Sequence, residues 1–171
     1  MTSRMTRMIL LRLMCIMAVA IMCTTVSAAV EDPARMRGVV KELVAEAKQA
    51  VDSMTVDELS ARLHAGDTLV VLDVRTEAEY EAGHIRGSVW IPRGKLEFMA
   101  PKKLPSTKVE IVVYCKRDSR GGLAAARLKR IGFTDVTYLV GGLERWVTSG
   151  YSIYNRHGEL SVTTFEKSEG N

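Results

Sequence analysis

At 171 residues with only three cysteines, the chain has the size of one domain and too few cysteines for a disulfide scaffold. Its formal charge of +4 suggests a nucleic-acid partner, but three of the 24 basic residues and none of the 20 acidic ones fall in the first 28 positions. The remaining 143 residues carry 21 basic against 20 acidic side chains, which removes the basic footprint that nucleic-acid binding needs.

Arg4, Arg7 and Arg12 precede an apolar run from Leu13 to Cys23 and the small residues Val26-Ser27-Ala28-Ala29, the pattern of a secretory signal peptide. A membrane-spanning helix needs about 20 apolar residues, and this run has 11. Residues 1–28 are therefore expected to be cleaved near Ala28, leaving a periplasmic or secreted protein with no stable membrane insertion. Cys15 and Cys23 would leave with the signal, so Cys115 becomes a lone thiol. In an oxidising compartment such a thiol is buried, paired between molecules, or reactive.

From Pro33 to Ala50, Val39, Val40, Leu43, Val44 and Ala47 recur at helical intervals between charged residues, which predicts an amphipathic helix packing across the domain as an extension over 29–54. Thr55 with Glu58, and Thr76 with Glu79, have capping-box spacing and start two further helices, ending near Gly66 and Gly83. Leu69–Leu72, Ser88–Ile91, Ile111–Tyr114 and Val136–Val140 read as short buried strands. A helix through Leu123, Ala124, Ala125, Leu128 and Ile131 ends before Gly132, and a closing helix runs through Leu143 and Trp146. Residues 152–171 alternate weakly at Leu160, Val162 and Phe165 and then turn polar, which predicts a short docked segment followed by a disordered end. Strands alternating with helices predict an α/β domain with a mostly parallel sheet covered on both faces. Sites in such sheets form outside the carboxyl ends of the strands. Cys115 follows one of those ends directly.

A thiol between a strand end and a helix start meets unpaired N–H groups and the positive end of the helix dipole, both of which favour the thiolate that attacks sulfur. Lys116, Arg117 and Arg120 add positive charge, and the same donors would hold a small anion. Neither His64, His84 nor His157 has metal-ligand spacing, and His84 lies far from Cys115 in sequence, so neither a metal, a cofactor nor a histidine base is expected.

These residues resemble the rhodanese family. Leu72-Asp73-Val74-Arg75, Glu79-Tyr80, Gly83-His84-Ile85, Gly87-Ser88 and Ile91-Pro92 look like its first signature. The loop Cys115 to Arg120, then Leu128, Gly132-Phe133, Val136, Gly141-Gly142 and Trp146, is similar to its second half, so the resemblance spans residues 55–151. It implies the three-layer rhodanese-like fold and a thiosulfate sulfurtransferase. Cys115 would be the nucleophile, and Lys116, Arg117, Asp118, Ser119 and Arg120 would cradle donor and persulfide. Arg120 would bind the anion or anchor the loop to a carboxylate. Asp73, and less directly Glu97, would orient the loop's basic residues, while Arg75 would bridge within the first signature. The partners implied are a small sulfur donor and a thiol or cyanide acceptor, served by a monomer.

Two features qualify the resemblance. Many single-domain rhodaneses have glycine where this chain has Asp118, whose carboxylate opposes a neighbouring thiolate unless it caps the next helix or pairs with Arg117. Lys116 and Arg117 put two cations at the mouth, which suits a dianion such as thiosulfate. A cysteine phosphatase is the nearest rival, but its loop holds five residues between Cys and Arg, whereas four separate Cys115 from Arg120. The other alternative is a module without turnover that carries a persulfide, senses oxidants or docks a partner.

Overall fold

The computed structural model describes residues 32–161. The expected signal segment, Val162 and Phe165 lie outside these residues. The chain divides into two units, Met1–Val40 and Lys41–Asn171. Of the first, the described part is the start of helix α1 (Pro33–Gln49).

The second unit contains the end of α1 and then β1 (Asp52–Met54), α2 (Val56–Ala65), β2 (Val70–Asp73), α3 (Glu77–Ala82) and β3 (Val89–Trp90). A 3-10 turn at Arg93–Lys95 leads into α4 (Leu96–Lys103), β4 (Ile111–Tyr114), α5 (Ser119–Arg130), β5 (Val136–Leu139) and α6 (Gly142–Thr148). The hairpin β6 (Ile153–Asn155) and β7 (Gly158–Leu160) follows. Both capping boxes form as the spacing predicts: Thr55 and Thr76 accept from the amides of Glu58 and Glu79, whose side chains return the bond.

The five-stranded sheet has the order β1-β5-β4-β2-β3 and every pairing is parallel. β4 is central and buried along its length, paired with β2 from Val70↔Ile111 to Asp73↔Tyr114. The chain runs outward from β2 to β3 on one side and from β4 to β5 on the other. The carboxyl ends of β2 and β4 therefore flank a topological switch point, where open parallel sheets place their sites.

Side chains alternate across the sheet. Val71, Val112, Tyr114 and Leu139 pack with Leu59 of α2 and Leu143 and Trp146 of α6. Leu72, Ile111, Val113 and Val136 pack on the opposite face with Leu96 and Ala100 of α4 and Ala124, Ala125 and Leu128 of α5. Cys115 continues the second set and is 2% exposed. Helices on both faces of a parallel sheet fulfil the α/β expectation.

Helix α1 is partly covered toward its C-terminal end, within the second unit. It has no buried residue, and Val39, Val40 and Leu43 are 47%, 58% and 51% exposed. Between Lys41 and Gln49 only Val44, Ala47 and Lys48 are partly covered.

Candidate functional site

Cys115 sits on the floor of a cavity of about 260 Å³ lined by Lys116, Arg117, Asp118, Ser119 and Arg120 together with the cysteine itself. At about 30 Å³ per water this admits a small anion rather than a nucleotide. A larger cavity of about 460 Å³ lies between α2, α6 and the hairpin, lined in part by Leu63, Arg86, Trp146 and Tyr154, and contains no cysteine.

The loop takes its shape from the start of α6. The carbonyls of Cys115 and Lys116 accept from the amides of Leu143 and Glu144, both at 2.9 Å, and Asp118 Oδ1 accepts from the Gly141 amide at 2.6 Å. Gly141 and Gly142 adopt φ of 75° and 56°. A Cβ on Gly142 would overlap the carbonyl oxygens of Arg117 and Cys115, so this glycine permits the close approach. The carbonyls of Cys115 and Lys116 turn toward α6, and the amides of residues 116–120 have no acceptors among the described residues. Such a run of free N–H groups at a helix start is an anion cradle.

The loop's charged side chains are mostly paired. Arg120 donates from Nη1 and Nη2 to the two carboxylate oxygens of Glu79, each at 2.8 Å. Glu79 is also the capping residue of α3, taking bonds from the Thr76 amide and hydroxyl at 3.1 and 3.0 Å. Arg120, foremost, and Thr76 hold the Glu79 carboxyl down to about 2, against a smaller upward push from burial. Arg117 Nε meets Glu144 Oε2 at 2.8 Å, an exposed pair of the kind worth little. Lys116 makes no ion pair among the described residues. Of the two cations expected at the mouth, only Lys116 is uncommitted.

Several expected roles change. Arg120 is an anchor, and its carboxylate is Glu79 rather than Asp73 or Glu97. Glu97 does not support the loop: its Oε1 meets Arg93 at 3.3 Å and Arg127 at 2.8 Å, joining α4 to α5. Asp73 is consumed by Arg75, which donates to it from Nε at 3.0 Å, Nη2 at 2.6 Å and the backbone amide at 2.8 Å. Arg75 Nη2 also donates to the Gly83 carbonyl at 2.7 Å, so it bridges within the first signature. Asp118 neither caps α5 with its side chain nor pairs with Arg117. Its φ of −122° needs no left-handed conformation, and its carboxylate turns to Gly141 and to Lys48 Nζ, 3.6 Å away. His84 is structural, stacked on Tyr80 with centroids 3.9 Å apart. In the sequence Glu79 is legible as a helix cap and as part of the first signature, and nothing local marks Glu144 or Lys48 as partners of the loop.

The family model for the rhodanese-like domain matches residues 55–149. The chain belongs to the rhodanese-like family. The chain is 36% identical over 112 residues to a probable adenylyltransferase/sulfurtransferase, MoeZ, of Mycobacterium tuberculosis, covering 64% of this chain and 28% of MoeZ. It is 28% identical over 108 residues to a sulfurtransferase of Allochromatium vinosum, covering 63% of this chain and 99% of that one. Among solved structures, the thiosulfate sulfurtransferase of Pseudomonas aeruginosa superposes with a TM-score of 0.57 at 30% identity, over 61% of this chain and 20% of that one. The chain thus spans little more than a quarter of MoeZ and a fifth of the Pseudomonas enzyme. Sulfur transfer is the general chemistry that the family and these relatives support.

The Arg120–Glu79 pair makes loop anchoring sensitive to acid. A carboxyl held at about 2 in the fold, against an ordinary 4.5, adds stability that is complete above about pH 4.5 and lost as the pH falls toward 2. Glu79→Gln should cost about 1 kcal/mol at neutral pH, as a half-exposed bidentate pair does. It should also flatten the decline of thermal stability between pH 4.5 and 2.5. A variant that loses stability over that window as steeply as the wild type would refute the anchoring.

Proposed function

We propose that the chain is an exported sulfurtransferase that takes sulfur from thiosulfate through a persulfide on Cys115. The supporting observation is the geometry of the loop: a thiol at its floor and, among the described residues, five successive amides without acceptors and one uncommitted cation, Lys116. The Cys115 thiolate attacks the outer sulfur of thiosulfate. A sulfur–sulfur bond forms to the enzyme as the bond to the sulfonate breaks, and sulfite leaves with its electron pair. The terminal persulfide sulfur, an anion in turn, lies among the same amides. Cyanide then takes that sulfur as thiocyanate, or a thiolate takes it as a new persulfide, and the Cys115 thiolate is regenerated. No external oxidant or reductant enters.

A tetrahedral phosphate suits this loop less well. Four residues separate Cys115 from Arg120, and Arg120 is committed in both guanidinium arms to Glu79. Hydrolysis of an aryl phosphate by the protein would contradict the proposal.

Intact-protein mass spectrometry after thiosulfate treatment is the direct test. The expected result is a gain of one sulfur atom, lost on adding cyanide. No gain would sink the proposal. Export is tested by cell fractionation: a chain beginning at Ala29 in the periplasm or medium supports it, and a full-length cytosolic chain refutes it.

A further inference from the structure

We infer that Lys48, outside the family-matched stretch 55–149, is a positioning residue that keeps the Asp118 carboxylate out of the anion cradle. The inference rests on the sulfur-transfer reading of the Cys115 loop. Asp118 stands where a carboxylate is least welcome, three residues from the thiol and at the start of α5. Both of its oxygens are committed elsewhere: Oδ1 to the Gly141 amide at 2.6 Å and Oδ2 to Lys48 Nζ at 3.6 Å.

Lys48 is built into this position. Its ammonium lies 5.2 Å from the centroid of the Tyr138 ring on β5. Its stem crosses Gly122 of α5, where a Cβ would come within 2.7 Å of Lys48 Cγ, so the lysine occupies room that only glycine leaves. The Gly122 amide in turn donates to the Asp118 carbonyl at 2.9 Å. One side chain from the last turn of α1 therefore touches the loop residue, the helix behind it and the neighbouring strand. Without the ammonium, Oδ2 loses its cation, and the free amides of its own loop become protein donors to which it can turn. The carboxylate would then compete with the donor anion for them.

Competition predicts a specific kinetic signature. In thiosulfate-to-cyanide transfer by the full chain, Lys48→Met should raise the half-saturating thiosulfate concentration about three- to fivefold, the scale of a partly exposed ion pair, with the maximal rate within twofold of wild type. Lys48→Arg should restore the wild-type value. Placed in an Asp118→Asn background, Lys48→Met should carry no further penalty. A fall in maximal rate with unchanged half-saturation, or a penalty that persists in the Asp118→Asn background, would overturn the inference.

A second readout needs no sulfur transfer: protection of Cys115 from iodoacetamide by inorganic sulfate. Lys48→Met should need about three- to fivefold more sulfate for half-protection. Equal protection in both proteins, or none in the wild type, overturns the inference. Wild-type protection without any sulfur gain from thiosulfate would instead bring down only the sulfur-transfer reading.

Discussion

Cys115→Ser is expected to gain no sulfur from thiosulfate and to lower sulfur transfer by about a thousandfold or more, the scale of losing a covalent nucleophile. The thiolate attacks sulfur readily, whereas an alcohol stays protonated at neutral pH and forms no persulfide. Among the described residues Cys115 is the sole cysteine, so no neighbouring thiol there can take over. The fold should tolerate the change. Cys115 is 2% exposed and packs with the α4 and α5 face of the core, but its upper side faces the loop, where free amides can satisfy a hydroxyl. A stability cost of about 1 kcal/mol follows, from exchanging a polarisable thiol for a hydroxyl beside apolar carbons. Mass spectrometry with a thermal melt separates the two effects. A folded serine variant that still gains one sulfur would place the chemistry elsewhere.

Much of what positions this thiol is legible in the sequence because its causes are local. The apolar run Ile111–Tyr114 becomes the central strand with the bounds that its pattern predicts, and it leads straight into Cys115. The capping boxes at Thr55 and Thr76 form because each needs only residues three apart. Features that depend on distant pairing escape. Strand β1 is only Asp-Ser-Met, with no apolar alternation, and is a strand because Asp52 to Met54 align with Thr137 to Leu139 of β5. Helix α4 contains Pro101 and a weak apolar pattern, and is held by packing Leu96 and Ala100 into the core. The hairpin after Tyr151 includes Leu160 but starts earlier than the alternation suggests, with Ile153 facing Leu160.

The same division runs through the site. The cradle residues are contiguous, so their motif names them. Their partners are not: Glu79 lies 41 positions from Arg120, and Glu144 lies 27 positions from Arg117. No spacing rule connects such pairs, and only the fold shows that Glu97 meets Arg127 rather than the loop. Glu79 shows why one residue can conceal two roles. Its capping function explains it fully at the sequence level, yet one oxygen of its carboxylate serves Thr76 and Arg120 together.

The largest expected loss of stability is that of Arg75→Met, about 3–5 kcal/mol, because it strips a buried carboxylate of its cation. Asp73 is fully buried and Arg75 is 5% exposed. Burial opposes the charge on Arg75, and the hydrogen bonds and proximity of Asp73 more than offset it, raising the guanidinium above its ordinary value. After the substitution Asp73 retains the Arg75 backbone amide at 2.8 Å but loses the guanidinium bonds. Restoring neutrality should recover much of the loss, so Asp73→Asn combined with Arg75→Met should be more stable than Arg75→Met alone. Chemical denaturation of the three variants measures this directly, and a single-variant loss below about 1 kcal/mol would refute the assignment. The effect should also reach the site through a traceable set of contacts. Arg75 ties the end of β2 to Gly83 at the end of α3, and α3 begins with the capping box whose Glu79 holds Arg120. A loosened α3 gives Arg120 a less fixed partner. Conditions that keep Arg75→Met folded should therefore still show slower sulfur loading of Cys115, although neither Asp73 nor Arg75 lines the cavity over the thiol.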